Sequence, residues 1–142
     1  MIDVLSNEIL LLIKKFLRGH KEVVFAYLYG SYARNEEHPF SDIDIAVYLR
    51  ENSFEVYMNL LGKFPEVGRE IDLRVLNDAP PLFRYKVIKE GKLLVNKDPE
   101  LLKQFIYETL IEALEIKDII ENMRKKRIER DCLMLVENIL EA

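Results

Sequence analysis

The chain has 142 residues, and its 21 basic and 25 acidic side chains give a net charge of −4 at pH 7. We expect a single domain with a core of its own, too short to add the modules with which larger enzymes hold nucleic acid. The acidic balance also argues against a broad contact surface for phosphate backbones, so bulk DNA or RNA is not an expected partner.

The cysteine and histidine content limits the kinds of site that the chain can form. Cys132 is the only cysteine, which excludes an internal disulfide and fits a reducing cytoplasm. Neither His20 nor His38 lies in a cluster of metal ligands, so a zinc site is not expected. No stretch has the pattern of a signal peptide or a transmembrane span. We therefore expect a cytoplasmic protein without membrane contact.

A helix and a strand precede the first motif. Residues 3–18 carry apolar side chains at three- and four-residue spacing and are followed by Gly19, which predicts an amphipathic helix packed on a sheet. Residues 23–29 form one continuous apolar run without alternation, which is typical of a central strand buried on both faces.

The stretch that follows this strand carries the candidate chemistry. Gly30 lets backbone amides approach an anion without a side chain in the way, and the Ser31 hydroxyl can bind a phosphate oxygen. The next strand, residues 42–49, places Asp42 and Asp44 on one face because they are two residues apart. Two carboxylates in one small volume repel each other unless a cation joins them, and hard oxygen ligands suit Mg²⁺ or Mn²⁺.

A third carboxylate is available further along the chain. Alternation over residues 70–76 puts Glu70, Asp72 and Arg74 on one face of a strand and apolar side chains on the other. Asp72 could then meet Asp42 and Asp44 across the sheet. Alone, Asp72 would be interpreted as a polar residue on a half-exposed strand; beside the upstream motif, we interpret it as part of the site.

The remaining elements of the core alternate between helix and strand. Ser53 and Asp78 are expected to be helix N-caps. The predicted elements are a helix over residues 54–64, a strand over residues 71–76, a helix that closes at Gly91 and a short strand over residues 92–96. Together these elements predict an α/β (α+β) fold, a mixed sheet of about four strands flanked by helices.

The C-terminal third of the chain is predicted to be helical. Asp98 and Pro99 open it, and its apolar stripe is interrupted by four basic residues at 124–127, where the helix either continues or breaks. The stripe is longer than a small sheet can cover, so we expect it to contact a partner or a second copy. We therefore divide the chain into a core at residues 1–98 and a helical extension at residues 99–142.

Gly30 and Ser31, then ten residues, then Asp42 and Asp44 resemble the signature of the polymerase-beta-like nucleotidyltransferase superfamily. The flanking Gly-Ser-Tyr-Ala-Arg and Ser-Asp-Ile-Asp-Ile-Ala-Val resemble its minimal nucleotidyltransferase (MNT) branch in particular. Asn35 departs from the family, where many members have glycine, although asparagine also tolerates a left-handed backbone. The resemblance implies a fold like the palm of polymerase beta.

The resemblance also implies a mechanism. Asp42, Asp44 and Asp72 would hold two Mg²⁺ ions, or Mn²⁺, while Gly30 and Ser31 would hold the outer phosphates of a nucleoside triphosphate. AMP would pass from ATP to a tyrosine of a HEPN-domain RNase toxin, with this protein as the antitoxin. Arg34 has two interpretations, an ion pair with a nearby acid or a contact to phosphate, and we favour the ion pair.

Three other hypotheses compete with the protein-modifying enzyme. The chain could be an antitoxin or adaptor that neutralises its partner by binding alone. It could transfer the nucleotide to a small molecule such as an aminoglycoside, although no further substrate domain is visible in the sequence. A core domain whose acids are merely solvated does not explain why three carboxylates accompany the Gly-Ser pair.

Overall fold

The computed structural model describes residues 7–30 and 42–141. The elements follow the order expected from the sequence, with bounds that differ from the predictions by a few residues. They are α1 Asn7–Gly19, β1 Val23–Tyr29, β2 Ile43–Leu49, α2 Phe54–Lys63, β3 Ile71–Val75, α3 Pro81–Glu90, β4 Lys92–Asn96 and α4 Pro99–Glu141.

The four strands form one mixed sheet in the order β3-β2-β1-β4. β1 is antiparallel to both of its neighbours, while β2 and β3 are parallel and are joined through α2. Every residue of β1 is buried, which confirms the predicted central strand and explains why its sequence is apolar without alternation. The mixed sheet with flanking helices that the sequence predicts is confirmed.

Helices cover both faces of the sheet. α1 and α2 pack on the face that carries Ile43, Ile45 and Val47, all with no exposed surface. On the opposite face, Phe25 stacks on Tyr48 with ring centroids 4.8 Å apart and meets an aromatic ring of α4. Further contacts on this second face come from α3 and from the first turns of α4, through Val87, Leu102 and Phe105.

Three of the four expected helix-end signals are found. Ser53 caps α2, since its side chain accepts a hydrogen bond from the backbone nitrogen of Val56 at 3.2 Å. Asp98 does the same for α4 through Leu101 at 3.1 Å, and Gly91 closes α3. The prediction that Asp78 caps α3 is wrong.

α3 begins one residue after Pro80, and its first turn has no side-chain cap. Prolines supply the helical φ and carry no N–H group that needs a cap, so Pro80 and Pro81 replace the capping residue.

α4 is one continuous helix of 43 residues, so the basic residues at 124–127 do not break it. Its first turns are anchored on the core by Leu102, Phe105, the fully buried Thr109 and Ala113. Residues 117–139 are all exposed, including nine large apolar side chains. None of the helices in the described part of the chain is both long enough and apolar enough to cross a membrane.

Candidate active site

The parallel pairing of β2 and β3 puts two acidic side chains next to each other. Asp44 and Asp72 are register partners, so their side chains leave neighbouring strands next to each other on the same face of the sheet. Both project from the sheet face opposite to Ile43 and Ile45, as the strand alternation predicts. Asp42 lies just before β2 and is exposed, and it acts on Asp44 through its charge.

The carboxyl of Asp44 is difficult to ionise in this position. Burial raises its pKa most, the negative charge and hydrogen bond of Asp72 raise it further, and the charge of Asp42 adds to the effect. Arg74 opposes these effects and lowers the pKa of Asp44. A cation between the two carboxyl groups would offset the repulsion that raises the pKa of Asp44.

The donor set fits a hard divalent cation. Carboxylate oxygens are the ligands that Mg²⁺ and Mn²⁺ prefer, and a cation would remove the repulsion that makes Asp44 difficult to ionise. Among residues 7–30 and 42–141, no three acidic, histidine or cysteine side chains lie close enough together to chelate one ion. Asp44 and Asp72 are therefore the pair that the fold brings together, and Asp42 lies further out.

Gly30 borders this pair directly. Its φ is +72°, in the left-handed region that favours glycine. A Cβ atom at this position would collide with Oδ2 of Asp44 and would lie 3.0 Å from its Cγ. Gly30 is thus required by the position of Asp44 as well as by its own backbone. Ser31, Arg34 and Asn35 lie outside the described residues.

Three further side chains surround the acids, and the sequence interpretation gave them no role. The ring of Tyr29, opposite Asp44 in the sheet, meets Phe83 of α3 edge to face at 5.6 Å. Burial raises the pKa of the Tyr29 phenol, the charge of Arg74 lowers it, and the charges of Asp44 and Asp72 raise it. Strand alternation already placed Arg74 beside Asp72, whereas Phe83 comes from a distant helix and left no signal in the sequence.

Known structures of similar fold include toxin–antitoxin complexes. A toxin–antitoxin crystal structure with AMP-PNP superposes with a TM-score of 0.70 at 24% identity, covering 84% of this chain and 98% of that chain. A complex of tri-AMPylated HEPN toxin with MNT antitoxin from Shewanella oneidensis superposes with a TM-score of 0.60 at 21% identity, covering 86% and 94%. At these identities the likeness establishes the fold.

Sequence relatives include proteins of Methanocaldococcus jannaschii that are provisionally named protein adenylyltransferases. One is 33% identical over 78 residues, which are 55% of this chain and 60% of that protein. Another is 41% identical over 93 residues, which are 63% of this chain and 93% of the relative. The model of the family described as "Polymerase beta, Nucleotidyltransferase" matches residues 12–100, a segment that contains Gly30 and all three aspartates. The chain therefore belongs to the polymerase beta nucleotidyltransferase family.

Proposed function

We propose that this protein is a magnesium-dependent nucleotidyltransferase that moves AMP from ATP to a tyrosine hydroxyl of a HEPN RNase toxin, and so acts as its antitoxin. The observation that carries the proposal is the pairing of Asp44 with Asp72 directly beside Gly30. The provisional name of the relatives and the AMPylated toxin bound to an MNT antitoxin of the same fold support the acceptor.

Each site residue has a role in this proposal. Asp42 and Asp44 would hold the nucleotide-bound Mg²⁺ and Asp72 a second ion; Mn²⁺ could replace either. These ions would neutralise the charge that develops on the attacked phosphate and on the leaving pyrophosphate. Gly30 and Ser31 would hold the outer phosphates through an amide and a hydroxyl.

Asp72 would also accept the proton of the attacking hydroxyl. The acceptor oxygen bonds to the α-phosphorus while the bond to the β-phosphate oxygen breaks, which releases pyrophosphate.

The exposed half of α4 is the proposed docking surface for the toxin. Beyond residue 117 it carries large apolar side chains that are exposed, and the sequence argument for a partner rests on this stripe. Ile128, Leu135 and Ile139 are 62%, 62% and 74% exposed, although they recur at helical spacing. We place this complex in the cytoplasm, where the free, exposed thiol of Cys132 stays reduced.

The rival hypothesis is an antitoxin that silences its partner by binding alone. Incubation of the protein with α-labelled ATP, Mg²⁺ and its purified partner separates the two hypotheses. The wild type and the control Asp78→Ala, an exposed aspartate beyond β3, should label the partner. The double variant Asp42→Ala/Asp44→Ala should not label it.

Two results would contradict the proposal. If none of the four nucleotides labels the partner and the double variant still silences it, inhibition is steric. If label enters only a small-molecule acceptor such as an aminoglycoside, the protein is a nucleotidyltransferase, but the proposed protein acceptor is wrong.

A further inference from the structure

Arg74 is the cation beside the paired carboxylates. It follows Asp72 by two residues on the same face of β3, and its Nε lies 3.7 Å from Oδ2 of Asp72. Within the described residues, this ion pair is the polar contact of the Arg74 side chain. The distance between the two atoms is longer than a hydrogen bond. The side chain of Arg74 is 57% exposed and that of Asp72 is 41% exposed, so the pair is loose and open to ligands.

An aromatic ring holds the guanidinium in this place. The central carbon of the Arg74 guanidinium lies 5.6 Å from the ring centroid of Phe83, within the range of a cation–π contact. Phe83 is itself positioned by the edge-to-face contact with Tyr29. Arg74 therefore contacts both Asp72 and the α3 side of the site.

We propose that Arg74 makes the site prefer a nucleotide-bound divalent ion over the free ion. The inference rests on the proposed function and concerns a selectivity residue. The fixed positive charge of Arg74 repels a bare dication that approaches Asp44 and Asp72, which weakens its binding. A dication already bound to a triphosphate carries a net negative charge, so the same guanidinium attracts it and can donate to a phosphate oxygen.

The ion pair with Asp72 explains how one residue can have both effects. In the free protein, Arg74 and Asp72 partly neutralise each other. When a cation takes over the Asp72 carboxylate, the guanidinium loses that partner and its N–H donors face the incoming phosphates. When metal and nucleotide bind together, the metal neutralises the Asp72 carboxylate and the phosphates pair with the Arg74 guanidinium. The metal alone leaves Arg74 without an anionic partner.

Binding measurements on the protein without its partner test the inference. Mn²⁺ affinity is measured by paramagnetic resonance of the free ion, first alone and then with an ATP analogue that has a methylene group between its α- and β-phosphates. Arg74→Gln should bind free Mn²⁺ more tightly by roughly a factor of three to ten, because one unit charge near the site is removed.

The same variant should bind the Mn²⁺–analogue complex more weakly than the wild type. Arg74→Lys keeps the charge but loses the planar fork, so it should leave free Mn²⁺ binding near the wild-type value while weakening the complex. Lys103→Gln removes an exposed charge on α4 and should change neither affinity. Thermal melting of each variant shows whether it is folded.

The outcomes separate this inference from the proposed function. If the wild type labels its partner but Arg74→Gln binds free Mn²⁺ no more tightly, the inference is wrong and the enzyme assignment survives. A parallel loss of both affinities would also overturn it, since that result means general damage to the site. If the wild type binds no Mn²⁺–analogue complex at all, the proposed function is wrong, and the inference about Arg74 is wrong with it.

Discussion

Gly30 and Asp44 are packed so closely that a Cβ atom at position 30 would displace the carboxyl of Asp44. The glycine ends β1 with a left-handed φ, and the carboxyl of Asp44 occupies the space where a Cβ atom would lie. The conformation of Gly30 and the position of the Asp44 carboxyl therefore depend on each other.

Gly30→Ala should separate catalysis from stability. The methyl group pushes Asp44 out of position, and a misplacement of this kind lowers a transfer rate by roughly 10²-fold. Gly68→Ala is the matched control, because Gly68 has φ +76° with nothing within 4 Å of its Cβ position. Both variants should lose about 1–2 kcal/mol of unfolding free energy from the left-handed backbone.

Label transfer and thermal melting check this pair of variants. Equal activity of Gly30→Ala and Gly68→Ala would show that the contact with Asp44 does not matter.

Asp44→Asn should stabilise the metal-free protein near neutral pH. Burial and the neighbouring acids raise the pKa of Asp44 in the folded state, so folding favours the protonated form of this carboxyl. The contribution of Asp44 to the free energy of unfolding is therefore fully present below the unfolded-state pKa. That contribution is lost as pH rises through the folded-state pKa. An amide avoids the loss, and the gain in Tm should vanish below about pH 4, where the carboxyl is protonated in both states.

Melting curves from below pH 4 up to neutral pH test this, with Asp78→Asn as the control. A variant that melts below the wild type at pH 7 would contradict the repulsion argument.

Arg84 should be the residue whose loss most weakens the contact between α3 and α4. Its Nε donates to the Ala79 carbonyl at 2.9 Å, and one terminal nitrogen donates to the buried Thr109 hydroxyl at 3.2 Å. Its other terminal nitrogen pairs with Glu112. Arg84→Met leaves these acceptors without a donor, which costs about 2–3 kcal/mol.

Urea unfolding measures this loss. Lys86→Met, an exposed change on the same helix, should stay within about 0.5 kcal/mol of the wild type. Equal losses for the two variants would mean that Arg84 does not hold the helices together.

The exposed stripe of α4 should matter for the partner and not for the fold. The triple change Ile128→Gln, Leu135→Gln and Ile139→Gln keeps good helix formers at exposed positions, so the Tm should stay unchanged. Affinity for the toxin, measured by calorimetry, should fall at least about tenfold.

The matched control changes Glu129→Gln, Arg130→Gln and Glu137→Gln, which lie elsewhere around the same turns. If the stripe variant binds the toxin as tightly as the control, the docking surface lies elsewhere.

Local sequence patterns predicted the secondary structure and the chemical character of the site. Local patterns were enough for this: alternation placed Asp72 and Arg74 on one face of β3, and a continuous apolar run predicted the buried strand β1. Ser53 and Asp98 were recognisable as caps for the same local reason. Asp78 was misassigned because two prolines nearby already start α3 without a cap.

Which of these residues meet depends on how distant elements pack in the folded chain. Asp44 and Asp72 are 28 positions apart in the chain, and they pair because α2 returns the chain to lay β3 parallel to β2 in this register. The contacts of Phe83 with Arg74 and Tyr29 depend on how α3 crosses the sheet. Such contacts have no periodicity along the chain, since they arise from packing between distant elements, and no sequence pattern could have shown them.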